Sequence, residues 1–341
     1  MLASQLIVWH HLAFYGPMSD VVYPHTTGLI DWLYEYARIA VQAFLVIGGF
    51  LAARSLAPRM EIAHIPQPLR TIPIMLWRRY LRLLRPYLVA LAAAIAGAAI
   101  ARTLIQHTAV PAAPTLAQLA SHVFLLHSIA GHESLSAGVW YVAIDFQLYA
   151  MFLMLLWLAR GTAALTGGRV RIVTLLLGAT LVAVSLFWLN REPSLDIWAP
   201  YFFGAYGLGI LAQWISSQPH KVRWLAVLAL VIASALAVEW RSRILVAGVT
   251  ALLLAAGNAG SFSPRWAGAS WLGALSRISY SVFLIHYAVF LVVGAIVFRL
   301  WPLSPAANAA GMTATWLLSL GAGALLHRFV EVPQPSQPGV C

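Results

Sequence analysis

Ten apolar stretches follow one another along the chain, at approximately 2–16, 37–56, 86–105, 139–159, 171–190, 198–215, 223–238, 243–259, 278–299 and 306–328. Most are close to the roughly 20 residues that cross a bilayer core. Charges, prolines and polar clusters part them. Of the 341 residues, 61% are hydrophobic and 9% are charged. A soluble domain needs about 25% charged residues to cover its surface, so the solvent of this chain is largely lipid. These features predict an all-α, polytopic transmembrane helical bundle of about ten helices.

The formal charge is +11, from 21 Lys and Arg against 10 Asp and Glu. Such a balance raises nucleic acid as a partner. The cations form no exposed basic domain, however, and lie between apolar stretches, so no nucleic acid partner is expected. With the N-terminus inside, 15 of the 21 cations fall on the cytoplasmic side and 6 outside. That asymmetry predicts that both termini are cytoplasmic. The first stretch has no basic n-region and no small-residue cleavage site, and reads as a retained helix. The one cysteine, Cys341, allows no disulfide framework within the chain. No repeat or low-complexity tract appears, so residues 1–332 are expected to form a single domain followed by a short tail, 333–341. The outer segment 106–138 is long, and Leu116 to Ile129 within it suits an interfacial or re-entrant helix.

Ionisable side chains inside a span face a cavity or a partner. Asp145 is the only carboxylate well inside an expected span, and Tyr149 lies one helical turn away on the same face. His10 and His11 interrupt the first span, but adjacent helical residues point about 100° apart and cannot serve one site equally. Both lie in the outer half of their span, as does Asp145, so a histidine base with a carboxylate partner is conceivable at that depth. His286 is a third cavity candidate. Arg78, Arg82 and Arg85 form a helical stripe with Arg79 beside it. Guanidinium forks suit bidentate phosphate binding, although a cytoplasmic anchor uses the same residues. His122, His127 and His132 recur every five residues, which is not one helical face, so no metal site is expected. Gly48-Gly49 reads as close helix packing.

Taken in order, these positions resemble acyltransferase family 3, integral membrane proteins that mostly O-acetylate sugars and related hydroxyl acceptors. The first-span His-Leu-Ala-Phe-Tyr-Gly looks like the segment bearing the family's essential histidine, with His11 the best match and His10 the fallback. Phe44 to Leu51 resembles the "FFVLSGFL" run, with Gly48 where Ser is usual. Arg79-Tyr80-Leu81-Arg82 is similar to the Arg-x-x-Arg motif, followed by Pro86. Trp140 to Tyr149 resembles "WYLSVEEQFY", placing Asp145 at the first acidic position and Phe146 at the second. Ser276 to His286 and Arg328-Phe329-Val330-Glu331 resemble the late "LGRISYSLYLIH" and closing "RFVE" signatures. Two departures stand out. Counting back from His11 to the Arg that usually precedes it runs off the start of this sequence, so that cation is absent or lies upstream, and Asp145 is one methylene shorter than the usual Glu.

The resemblance implies a multi-pass protein of the cell inner (plasma) membrane, in contact with membrane lipids, that transfers an acyl group from acyl-CoA. Acetyl-CoA is the expected donor substrate, with no permanently bound cofactor and no metal. Arg79 and Arg82, with Arg78 and Arg85, would hold its phosphates. His11 would act as base and Asp145 would orient it or position the acceptor, a carbohydrate or other hydroxyl. Tyr149, Trp140 and His286 would line the substrate pocket, with stabilisation of the oxyanion the alternative role for Tyr149 and His286. The other class consistent with intramembrane Asp and His is a proton-coupled transporter or exporter, although the repeated halves common in transporters are absent. Neither the acceptor nor the oligomeric state is set by the sequence.

Overall fold

The computed structural model describes residues 1–61, 71–257 and 270–332. Residues 62–70 with Arg70, 258–269 with Arg265, and 333–341 with Cys341 lie outside the described residues. Helix makes up 83% of the structure, and no strand occurs among the described residues. The helices are α1 (Leu2–Phe14), α2 (Met18–Val22), α3 (Thr27–Glu35), α4 (Val41–Glu61), α5 (Thr71–Leu104), α6 (Leu116–Val123), α7 (Val139–Thr166), α8 (Val170–Phe187), α9 (Ala199–Ser216), α10 (Lys221–Val238), α11 (Ser242–Ala256), α12 (Ser270–Leu300) and α13 (Pro305–Leu326).

Among the described residues each of the ten apolar stretches is largely helical. Among the described residues, seven helical segments are long and apolar enough to cross a membrane. The other three stretches are α1, α9 and α11. Burial explains α9, whose residues are mostly enclosed by protein, so it needs no continuous lipid-facing surface. The apolar stretch at 86–105 is only the second part of α5, which also runs through the basic stripe Arg78 to Arg85 and through Pro86. Proline inside an apolar helix is tolerated where neighbouring groups satisfy the freed carbonyl. The expected 116–129 helix is shorter than its apolar run. Thr115 caps it by accepting from the Gln118 N–H, and Leu125, at φ 58°, turns the chain out of helix.

The backbone gathers into two compact units, residues 1–38, 80–142 and 267–341 in the first and 39–79 and 143–266 in the second. In the first unit α12 and α13 fold back on each other. Gly323 makes this possible, because a Cβ there would meet the backbone of Val282. The Trp316 indole N–H of α13 donates to Gln5 Oε1 of α1 at 2.7 Å. Beyond α13, Glu331 Oε2 accepts from Ser281 Oγ at 2.6 Å and contacts His327 Nδ1 at 2.9 Å, which ties the closing motif to the late one.

The second unit is built around α9. Its glycines face two neighbours. Gly204 and Gly207 sit one turn apart and meet Leu186 and Val182 of α8. Gly209 meets the Val46 carbonyl of α4, and Gly49 of α4 meets the Tyr206 carbonyl of α9. Small residues allow this approach between backbones where lipid offers no hydrophobic drive for association. Between α10 and α11, buried Arg241 donates to Asn190 Oδ1 at 2.9 Å and to the Leu186 carbonyl at 2.7 Å.

Candidate active site

In the first unit the adjacent histidines of α1 part company as helical geometry requires. His10 turns toward α3 and donates from Nδ1 to the Leu33 carbonyl at 3.0 Å. His11 turns toward α12, with its Nδ1 2.7 Å from Nε2 of His286. The two imidazole planes lie within 6° of parallel with centroids 5.0 Å apart. That separation is the N···N distance plus the two ring radii, so the rings meet edge to edge in a common plane rather than face to face. The hydrogen bond therefore runs along the ring nitrogen's lone-pair direction.

The protons of this pair can be placed by elimination. Nδ1 of His286 is 2.8 Å from the Phe283 carbonyl, which can only accept, so that nitrogen carries the N–H. A neutral imidazole has one such proton, leaving His286 Nε2 as an acceptor. His11 Nδ1 must then donate to it. Nε2 of His11 is left with its lone pair, and no hydrogen bond engages it among the described residues. This is the state required of a general base.

The surroundings hold that arrangement. Phe283 packs its ring over Gly138, where a Cβ would intrude at 2.7 Å and where φ is +80°, so only glycine fits. Tyr141 meets the same phenyl ring edge-on at 5.5 Å, and Trp140 stands edge-on to Tyr141. Tyr15 lies 5.6 Å from the His11 ring and 5.0 Å from Tyr287. His11 and His286 are both buried, the latter almost completely.

In the second unit Arg79 Nη2 donates to Asp145 Oδ2 at 2.6 Å. The Asp145 side chain is 6% exposed and that of Arg79 23%. The Arg79 guanidinium also lies over the Tyr149 ring, 5.1 Å from its centroid. Gly48 lines the other side of the carboxylate, and a Cβ there would stand 3.2 Å from Asp145 Oδ1. Arg78 is exposed in this unit, as are Arg82 and Arg85 in the first unit, whereas Arg79 is half-buried. The four cations thus differ in kind: one is committed to a buried acid and three present guanidinium groups outward.

His122 and His127 behave differently from the helical argument. His127 lies beyond the end of α6, where the turn at Leu125 brings it back onto His122, with rings stacked at 4.2 Å. His122 is hydrogen-bonded at both ring nitrogens, whereas both nitrogens of His127 are buried and find no hydrogen-bond partner among the described residues. Burial, with His122 beside it, holds the His127 imidazole down to about 4. Among the described residues no three His, Cys, Asp or Glu gather closely enough to hold a metal ion.

Several of these residues carry no signal in the sequence. Phe283 acts through its carbonyl, and any residue has one. Gly138 is marked only by the conformation it adopts. Tyr206, which borders Gly48 near Asp145, is one aromatic among many.

The family model for acyltransferase 3, an acyltransferase domain, matches residues 1–326. No curated protein and no solved structure matches the chain.

Proposed function

The chain belongs to the acyltransferase 3 family and is a membrane acyltransferase, and from that premise we propose that it moves an acetyl group from acetyl-CoA to a hydroxyl of a carbohydrate or other cell-surface acceptor. The observation that carries this reading is the His11 ring, fixed at Nδ1 and open at Nε2, within a matched acyltransferase domain.

In the proposed reaction His11 Nε2 takes the proton of the acceptor hydroxyl as its oxygen attacks the thioester carbonyl. The new C–O bond forms and the C–S bond breaks. The proton then passes from His11 to the departing sulfur, so that the products are the acetyl ester and free CoA. An imidazole, with an ordinary pKa near 6.5, is suited to both transfers. Asp145 has its Oδ2 committed to Arg79 and His11 has its Nδ1 committed to His286. By the family resemblance we assign Asp145 to positioning the acceptor; within its own unit Arg79 and Tyr149 hold the carboxylate in place. The outward guanidinium groups of Arg78, Arg82 and Arg85 are assigned to the CoA phosphates, which bidentate forks fit. Ten spans in the inner membrane, both ends cytoplasmic, would present this cluster to the cytoplasmic donor.

The test uses detergent-purified protein and acetyl-CoA. Acetyl-CoA is expected to raise Tm, and an Arg78→Ala/Arg82→Ala protein is expected to lose that shift. In cells, acetyl mass on surface glycans should appear with the wild-type protein and vanish with His11→Ala. A His11→Ala protein that modifies glycans at the wild-type level would overturn the assignment.

A further inference from the structure

The sequence offers His286 as a pocket residue or an oxyanion stabiliser. Its bonding in the structure is that of a relay. One ring nitrogen is held by the Phe283 carbonyl and the other accepts from His11, so the identity of the proton on each nitrogen is set from α12 outward. We propose that His286 is the positioning residue of the reaction: it fixes His11 as the Nδ1–H tautomer and directs Nε2 to the acceptor hydroxyl. The proposal rests on the reading of His11 as base.

Three features support it. First, the geometry is that of a directed bond, since the rings are coplanar within 6° and the N···N distance is 2.7 Å. A histidine that only filled space would have no reason to align its lone pair with the Nδ1–H of its neighbour. Second, His286 is 1% exposed, so water cannot substitute for either of its hydrogen bonds. Third, its own orientation is imposed from outside the pair. Phe283, one turn earlier on α12, is pinned by Gly138 and Tyr141, and that fixes the helix face from which His286 reaches α1.

The choice of residue also has a physical reason. A base is commonly oriented by a carboxylate, as in the serine protease triad. Within a membrane an unpaired carboxylate is costly, whereas a neutral imidazole orients its partner without adding a buried charge. When His11 takes a proton during the reaction, its Nδ1–H remains on His286 Nε2. One positive charge then resides on the pair, and no second charge needs to be desolvated.

The test combines a spectrum with kinetics. Histidine-specific ¹⁵N NMR of wild-type protein in detergent, with His11→Ala used to assign the signal, reports which His11 nitrogen bears hydrogen. The expected result is a protonated Nδ1 and an unprotonated Nε2. The opposite tautomer in the wild-type spectrum overturns the proposal, whatever any variant does. Kinetics then use initial rates of CoA release from acetyl-CoA in membranes that carry the native acceptor. His286→Phe is expected to lower kcat by about 100-fold, the lower range for loss of effective acid–base catalysis, with the apparent KM for acetyl-CoA unchanged. His286→Gln, whose amide oxygen can stand where Nε2 stood, is expected to recover most of that loss. A fully active His286→Phe beside an inactive His11→Ala would overturn the positioning role alone. Activity retained in His11→Ala would remove the base reading itself.

Discussion

Arg79 and Asp145 form an ion pair of 2.6 Å in which the acid is almost wholly buried and the base is not. Their 66-residue separation joins the start of α5 to the first turns of α7 within one unit. The consequence for stability is asymmetric. Removing Arg79 leaves a buried carboxylate without its cation, which costs several kcal/mol, whereas removing both charges together does not. Arg79→Ala should therefore destabilise the protein by about 3 kcal/mol. Arg79→Met combined with Asp145→Leu should restore most of the loss in thermal unfolding while leaving CoA release abolished. Equal stability of the single and double variants would show that the pair is not coupled.

The approach of α4 to α9 leaves no room for side chains at its closest points. A Cβ on Gly49 would run into the Tyr206 carbonyl oxygen, and one on Gly209 into that of Val46. In both cases the obstacle is backbone, which cannot rotate away. Gly49→Ala and Gly209→Ala should each lower stability by about 3 kcal/mol or prevent folding, the upper range for overpacking. Gly161→Ala, where a Cβ meets nothing within 4 Å, should be tolerated with an unchanged Tm. Comparable yields and melting temperatures for all three proteins would contradict the packing described.

His127 links the segment between α5 and α7 to pH. Its imidazole titrates near 4 in the folded protein, against about 6.5 in an unfolded chain. Between those values the unfolded chain binds a proton that the folded one does not. Stability is thus complete above about pH 6.5 and falls as pH drops toward 4. The loss is at most about 3 kcal/mol. Hydrogen exchange in residues 116–135 should accelerate as pH is lowered through this window, after correction for intrinsic exchange rates. His127→Phe should remove that dependence, so an unchanged pH profile in the variant would assign the effect elsewhere.

The cations beside Glu239 separate into two kinds. Arg241 is buried and gives two hydrogen bonds, to Asn190 and to the Leu186 carbonyl. Arg191 meets Glu239 at 2.7 Å with both side chains more than 40% exposed. Hydrogen bonds from a buried charged group contribute about 1.5–3 kcal/mol, whereas exposed ion pairs contribute about 0–1 kcal/mol. Arg241→Met should accordingly lower Tm well beyond Arg191→Met, and added salt should diminish only the small effect of the latter. The reverse order would mean that Arg241 is not the structural member.

By itself the sequence determined the helical plan and the family. Both depend on local order: apolar runs of bilayer length, the near absence of charge, and short motifs in a fixed succession. It also brought forward His11, Asp145, His286 and the arginine cluster, because polar groups in apolar runs are conspicuous. It could not choose between His10 and His11, since one helix offers both faces equally until something packs against it. In the tertiary structure the two part, His10 toward the Leu33 carbonyl of α3 and His11 toward His286 of α12. That structure also assigned Arg79 to Asp145, and it placed the protons of His286 through the Phe283 carbonyl. The physical reason is range. Helix periodicity extends over a few residues, whereas His11 meets a partner 275 residues away. Such partners are fixed by the rotation and spacing of packed helices, which small contacts such as Phe283 on Gly138 set.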